Sequence, residues 1–355
     1  MTLALAGALA APSFPRVAIR LAGLGKVYPV RRGWRSALIH PRRIEYARVL
    51  QNVSCDIGEG EFFGLLGPNG AGKTSLFKIL ATLIIPDEGS ATVSGHDVVE
   101  DGAAVRRLLT PVIADERSLH WRLSARENLR LYASLHGLRS GAATERVLEV
   151  LEVVGLSDAG NKIVGSFSSG MKQRLLIARA LVSRPRVLLL DEPTRSLDPV
   201  AARAFRAFLR EEVSGRQGCT ILLATHNAEE ALELCDRIAI LDRGRLLAVG
   251  KAEELSVQYA GERYRLWTKD AGSVSLAPLV DQGVVRRVEM APDEEDGWTR
   301  IELEIPGGLD RAAMVVHYLS VAGMSIARFE RISLSLADLI ERIVAAPPEP
   351  AGEGR

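Results

Sequence analysis

The residues best suited to chemistry lie in one stretch, 61–75, EFFGLLGPNGAGKTS. Within it Gly67-Pro68-Asn69-Gly70-Ala71-Gly72-Lys73-Thr74, followed by Ser75, fits G-x-x-x-x-G-K-[ST], a loop that cradles phosphate. Its glycines let the backbone curl until several N–H groups point at one anion, and a helix beginning near Gly72 adds its positive end. Lys73 is placed to reach β- and γ-phosphates, and Thr74 offers a hydroxyl to Mg²⁺. The spacing points to a bound nucleotide.

A second group supplies acids. Val187-Leu188-Leu189-Leu190 is a short apolar run that ends in Asp191-Glu192. It reads as a buried parallel strand with carboxylates at its C-terminal edge, where open α/β sheets place ligands. Asp191 can hold Mg²⁺ through water, and Glu192 can polarise an attacking water. An isolated Asp-Glu pair would more simply be a helix cap or a surface turn. Beside a phosphate loop the catalytic reading takes precedence.

Most of the 355 residues serve to position these groups, and the length suffices for two domains. A net charge of +1 exerts no global pull toward nucleic acid, and none is expected as a partner. Cys55, Cys219 and Cys235 form neither a C-x-x-C pair nor an even framework, which suits a reducing compartment. No uncharged run reaches the roughly 18 apolar residues of a membrane span. Residues 1–16 are expected to be disordered, with ordered sequence from Val17.

Along the chain, 17–30 and 50–57 read as strands, separated by an interruption rich in Arg31, Arg32, Arg35, Arg42, Arg43 and Arg48 with Trp34. That interruption is either a solvated basic loop or an element facing lipid headgroups. Residues 112–160 carry two amphipathic helices and are expected to form a helical subdomain inserted in the α/β core. A helix over 169–183, the acidic strand, a helix near 199–213, the strand 220–224 with His226, and strands 237–241 and 245–249 complete that core. From 262 to 346 the order β-α-β-β-α-β suggests a small ferredoxin-like sandwich, and 347–355, PPEPAGEGR, a disordered tail.

Phe167-Ser168-Ser169-Gly170-Met171, VLLLDEPT at 187–194, Ser196-Leu197-Asp198 and Ala224-Thr225-His226 together resemble the ABC ATPase family over roughly residues 17–255, within a cassette expected to span 17–258. FSSGM is similar to the family signature, SLD to its D-loop, and His226 to its switch histidine. The fold implied is a P-loop NTPase core of ABC ATPase type with antiparallel β and helical subdomains. The resemblance also implies an ATPase using ATP and Mg²⁺, with Tyr28 stacking on adenine. Lys73, Glu192 and His226 would act on the γ-phosphate side; Thr74, Asp191 and Asp115 would lie around the metal. Asp115 stands where the family usually carries Gln, with Glu116 as the alternative.

In such a protein Ser168, Ser169 and Gly170 form a second anion site that closes on the phosphate loop of another copy, in a head-to-tail dimer with Asp198 at the junction. The motifs and the terminal SLSLADLI at 333–340 look most like cassettes of ABC-2 type exporters. A separate ABC-2 type membrane permease is then the expected partner, at the cytoplasmic face of the membrane, exporting a drug, lipid or glycan. A soluble ABC ATPase acting on ribosomes or DNA would carry paired cassettes or long coiled coils. A non-hydrolysing regulator would lack Glu192 or His226.

Overall fold

The computed structural model describes residues 16–29, 46–113, 118–260, 263–272, 274–292 and 297–332, together with Ile343. Two compact units divide the chain between Val249 and Gly250, somewhat before the expected 258/262 boundary.

The first unit begins with two long antiparallel strands, β1 (Val17–Pro29) and β2 (Tyr46–Gly58). Then come β3 (Phe62–Leu66), α1 (Lys73–Leu80), β4 (Glu88–Val93), β5 (His96–Asp97), α2 (Gly102–Leu108) and β6 (Leu109–Ile113). A helical stretch follows with α3 (Ala125–Leu135), α4 (Ser140–Val153) and α5 (Ser169–Leu181). The chain returns through β7 (Val187–Asp191), α6 (Pro199–Phe208) with a wider π-type turn over Leu209–Arg216, β8 (Thr220–Thr225), α7 (Ala228–Leu234), β9 (Arg237–Asp242) and β10 (Arg245–Gly250).

These strands make two sheets. One is four-stranded in the order β2-β1-β4-β5, and the other is six-stranded in the order β10-β9-β3-β8-β7-β6. From β9 to β6 every neighbouring pair is parallel. Strands β3 and β8 are buried along their whole length, and β7 as far as Leu190, so they carry apolar runs rather than alternating ones. The register pairs Leu66 with Thr225 and Asp191 with Ala224. The C-terminal ends of β3, β8 and β7 therefore lie side by side.

The helical stretch starts later than expected. Of the expected 112–160, residues 112 and 113 instead end β6, the outer strand beside β7. The run LTPVI hides this, because Pro111 argues against a strand unless the strand lies at a sheet edge. Ser124 opens α3 through a reciprocal bond with Glu127, and buried Asn128 ties the preceding turn through His120. Val147, Val150 and Leu151 of α4 share a core with Leu129 of α3 and Leu175 and Leu176 of α5. Buried Arg146 donates to the carbonyls of Leu181 and Val182, where the end of α5 is negative.

The second unit contains α8 (Ala252–Ala260), β11 (Arg263–Thr268), α9 (Ala277–Asp281), β12 (Arg287–Pro292), β13 (Thr299–Glu304), α10 (Gly308–Val321) and β14 (Ile326–Arg331). Its antiparallel sheet runs β12-β13-β11-β14, the ferredoxin-like arrangement. Tyr264, Leu266, Ile301 and Leu303 pack with Ala312, Val315 and Leu319 of α10. The strand expected from Val284 begins at Arg287 because the amides of Val284 and Val285 both donate back to Leu279 O. The basic residues 31–43, Asp115 and the 333–340 stretch lie outside the described residues.

Ser124→Ala removes one half of the α3 capping box and is expected to cost about 1 kcal/mol. In a unit of this size that lowers the melting temperature by about 2–4 °C, measurable by calorimetry on the full chain.

Candidate nucleotide site

The phosphate loop leaves β3 at Leu66 and is shaped by two glycines that no other residue could replace. A Cβ on Gly67 would lie 2.1 Å from Leu241 O. Gly72 has φ +113° and would place a Cβ 2.7 Å from Val49 O. Between them Ala71 N–H donates to Pro68 O and Gly244 N–H donates to Ala71 O, so the β9–β10 turn braces the loop. Helix α1 begins at Lys73 with no side-chain cap, and its first-turn amides have no intrahelical acceptors.

Lys73 is buried, and its ammonium donates to Gly67 O and, at 3.2 Å, to Pro68 O. Burial lowers its pKa, while Glu192 and Asp191 act in the opposite direction. The Asp191 pKa is raised, first by burial and then by Glu192, with Lys73 opposing. One ammonium thus faces two carboxylates, an arrangement short of positive charge. Asp191 and the Thr74 hydroxyl are hard oxygen donors, which suits Mg²⁺ held by one or two protein groups plus substrate and water.

Glu192 follows β7 with φ +49°, and its N–H still donates to Ala224 O of β8. That twist turns the side chain toward His226. Glu192 Oε1 accepts from His226 N–H at 3.1 Å and lies 2.7 Å from His226 Nδ1. An ionised carboxylate only accepts, so Nδ1 carries the proton and Nε2 is directed elsewhere. Downstream, Thr194 Oγ1 donates to buried Glu230, and Asp198 caps α6 through the amides of Val200 and Ala201.

Pro68–Ser75, Val49, Asp191, Glu192, Arg195 and Ser196 line one cleft of about 570 Å³. An adjoining cleft of about 660 Å³ carries His226, Asn227 and Arg203, and shares Glu192 and Arg195. A third, of about 590 Å³, lies at the opposite ends of the strands beside Arg186 and Thr220. There Glu149 already pairs with Arg146 and Arg184.

The structure therefore brings Lys73, Thr74, Ser75, Asp191, Glu192 and His226 to one edge. Ser168, Ser169 and Gly170 do not line the cleft. Ser168 instead caps α5, accepting from Met171 N–H at 3.3 Å. Tyr28 is also outside it, although its strand partner Ala47 lies two residues from Val49, and Lys26 Nζ is 5.6 Å from its ring. Two cleft residues, Val49 and Arg195, were not singled out from the sequence. For Arg195 the signal was there, a cation between the acidic pair and Asp198.

A family model described as ABC transporter matches residues 50–195. A daunorubicin resistance ATP-binding protein from Streptomyces coeruleorubidus is 41% identical over 251 residues, 69% of this chain and 78% of its own length. The chain belongs to the ABC transporter ATP-binding proteins. A second daunorubicin resistance ATP-binding protein from the same organism is 34% identical over 305 residues, 85% of this chain and 92% of its own. Among solved structures, a dimeric ATP-binding cassette in a post-hydrolysis state with ADP and Pi has a TM-score of 0.54 at 28% identity. It covers 66% of this chain and 98% of its own. The ABC protein described here is thus an ATP-binding ATPase subunit of a transporter, and no helix among its described residues is long and apolar enough to cross a membrane.

Asp191→Asn removes a half-buried charge and is expected to raise the melting temperature of the nucleotide-free ABC protein at neutral pH. Because the folded-state pKa is raised, the penalty exists above it. The difference between variant and parent should shrink as pH falls through that pKa and vanish below the ordinary carboxylate value near 4. A lower melting temperature at neutral pH would show that attraction to Lys73 outweighs burial.

Proposed function

We propose that residues 17–258 form the cassette that hydrolyses MgATP for an ABC-2 type exporter. The cargo, a drug-like molecule in this reading, passes through a separate membrane permease. The observation that carries it is the convergence of Lys73, Asp191 and the hydrogen-bonded Glu192–His226 pair at the ends of three adjoining parallel strands. Relatives whose names concern daunorubicin and doxorubicin resistance support a drug over a lipid or glycan. The permease would hold the cassette at the cytoplasmic face of the membrane.

In this reading the amides of the loop and of the first turn of α1 bind the phosphates, and Lys73 moves its ammonium from Gly67 O to the β- and γ-oxygens. Thr74 and Asp191 would hold Mg²⁺, which when bound would supply positive charge to offset that of the phosphates. Glu192 keeps Oε1 on His226 and presents Oε2 to a water, accepting its proton as the water oxygen bonds to the γ-phosphorus and the bond to the β–γ bridging oxygen breaks, leaving ADP and phosphate. His226 fixes that carboxylate and offers Nε2 toward the γ-phosphate. Asp115 would complete the metal surroundings.

Each site is half built within one chain. Ser168–Gly170 open a helix whose N-terminus suits an anion yet does not line this chain's own cleft. A head-to-tail second copy would bring them to the γ-phosphate, and Asp198 would sit at that junction. The dimeric cassette among the structural relatives supports such pairing.

Glu192→Gln is expected to retain ATP binding, to lower kcat by on the order of a hundredfold or more, and to accumulate as an ATP-bound dimer by size-exclusion chromatography. Parental turnover in that variant would remove Glu192 from the base role. Lys73→Ala is expected to abolish nucleotide binding by calorimetry, and unchanged affinity would move the site elsewhere. Co-purification with a multi-span permease, and stimulation of the ATPase by its cargo, test the export reading.

A further inference from the structure

Arg195 is the one charged side chain of the phosphate cleft that the mechanism above leaves unused. The segment carrying it is tied down on both sides. Thr194 Oγ1 donates to Glu230, which is buried, and Ser196 Oγ accepts from Gln173, also buried, at 3.4 Å. Arg195 N–H closes a turn onto Glu192 O at 3.2 Å, and Leu197 N–H closes the next onto Thr194 O. With its neighbours anchored inward, Arg195 is exposed and lines both the phosphate cleft and the cleft beside His226.

The charges of the phosphate cleft are Lys73, Asp191, Glu192 and Arg195. Lys73 is buried and bonded to two carbonyls, and Glu192 is bonded to His226. Among the described residues the Arg195 guanidinium has neither a hydrogen-bond nor an ion-pair partner. It is therefore a free planar cation at the rim of a cleft whose remaining charges sum to −1. A triphosphate adds several negative charges, most of them on its terminal group. Guanidinium is the side chain best matched to two phosphate oxygens at once.

We propose that Arg195 binds the terminal phosphate of the nucleotide in its own chain's cleft and so distinguishes ATP from ADP. This rests on the placement of the nucleotide at Gly67–Ser75. The terminal phosphate lies on the Glu192–His226 side, toward which Arg195 already opens. ADP ends short of it. Because Arg195 sits in the turn that starts at Glu192, its hold on the phosphate also fixes the 193–198 segment leading to Asp198.

The test compares a non-hydrolysable ATP analogue with ADP, by calorimetry on the full chain, in the parent, Arg195→Ala, Arg195→Lys and Lys73→Ala. Arg195→Ala is expected to weaken the analogue by about tenfold, the order of one charge-assisted bond, with ADP affinity and melting temperature unchanged. Arg195→Lys should recover part of the loss, since it restores charge without the planar fork. An unchanged analogue affinity, or equal weakening of analogue and ADP, overturns the assignment. So does a defect confined to dimer formation, which would place the Arg195 contact on a second copy. Parental binding by Lys73→Ala would instead overturn the placement of the nucleotide itself.

Discussion

The parallel register of β3, β8 and β7 is the constraint on which the site depends. Leu66 beside Thr225 and Asp191 beside Ala224 bring the phosphate loop, His226 and the acidic pair to one edge, with β8 in the middle. In a parallel sheet all strands end on the same side, so three loops distant in sequence become neighbours without any loop being long. Burial holds the register. β8 is buried at every position, and a strand enclosed on both faces has no solvent side onto which to slip.

That burial has an electrostatic consequence. Lys73 and Asp191 are drawn out of water at the end of the sheet, and both are shifted toward their neutral forms by it. Within the chain the Lys73 ammonium is turned onto two backbone carbonyls, while Asp191 and Glu192 follow one another at the strand end. In the proposed reading, phosphates would take up the ammonium and a divalent cation would sit against Asp191. A nucleotide bound there, as proposed, would offset the cost of burying these charges and so tie occupancy to the stability of the edge.

Much of this was legible in the sequence because the responsible residues are local. The loop at 67–74, the acids after β7 and the β-α-β-β-α-β order of the second unit each show within a short window. What stayed hidden depended on neighbours far away in the chain. Strand β6 was obscured by Pro111, whose position at a sheet edge only the topology reveals. Val49 reaches the cleft because β2 passes under Gly72. Arg195 stands out only once Glu230 and Gln173 are seen to hold the residues on either side of it.

The same contacts join the two halves that the dimer reading separates. Gln173 belongs to α5, whose start is the proposed Ser168–Gly170 anion site, and its amide reaches Ser196, two residues before Asp198. Gly170 also lies beside α6, where the nearest side-chain atom to its would-be Cβ is Ala201 at 3.9 Å. The helix that would meet another copy's phosphate and the segment running from this copy's own Glu192 are thus in contact within one chain. A phosphate that fixes residues 193–198 on one side constrains the start of α5 on the other. Two sites built this way share an element, so neither is expected to respond to nucleotide independently of its twin.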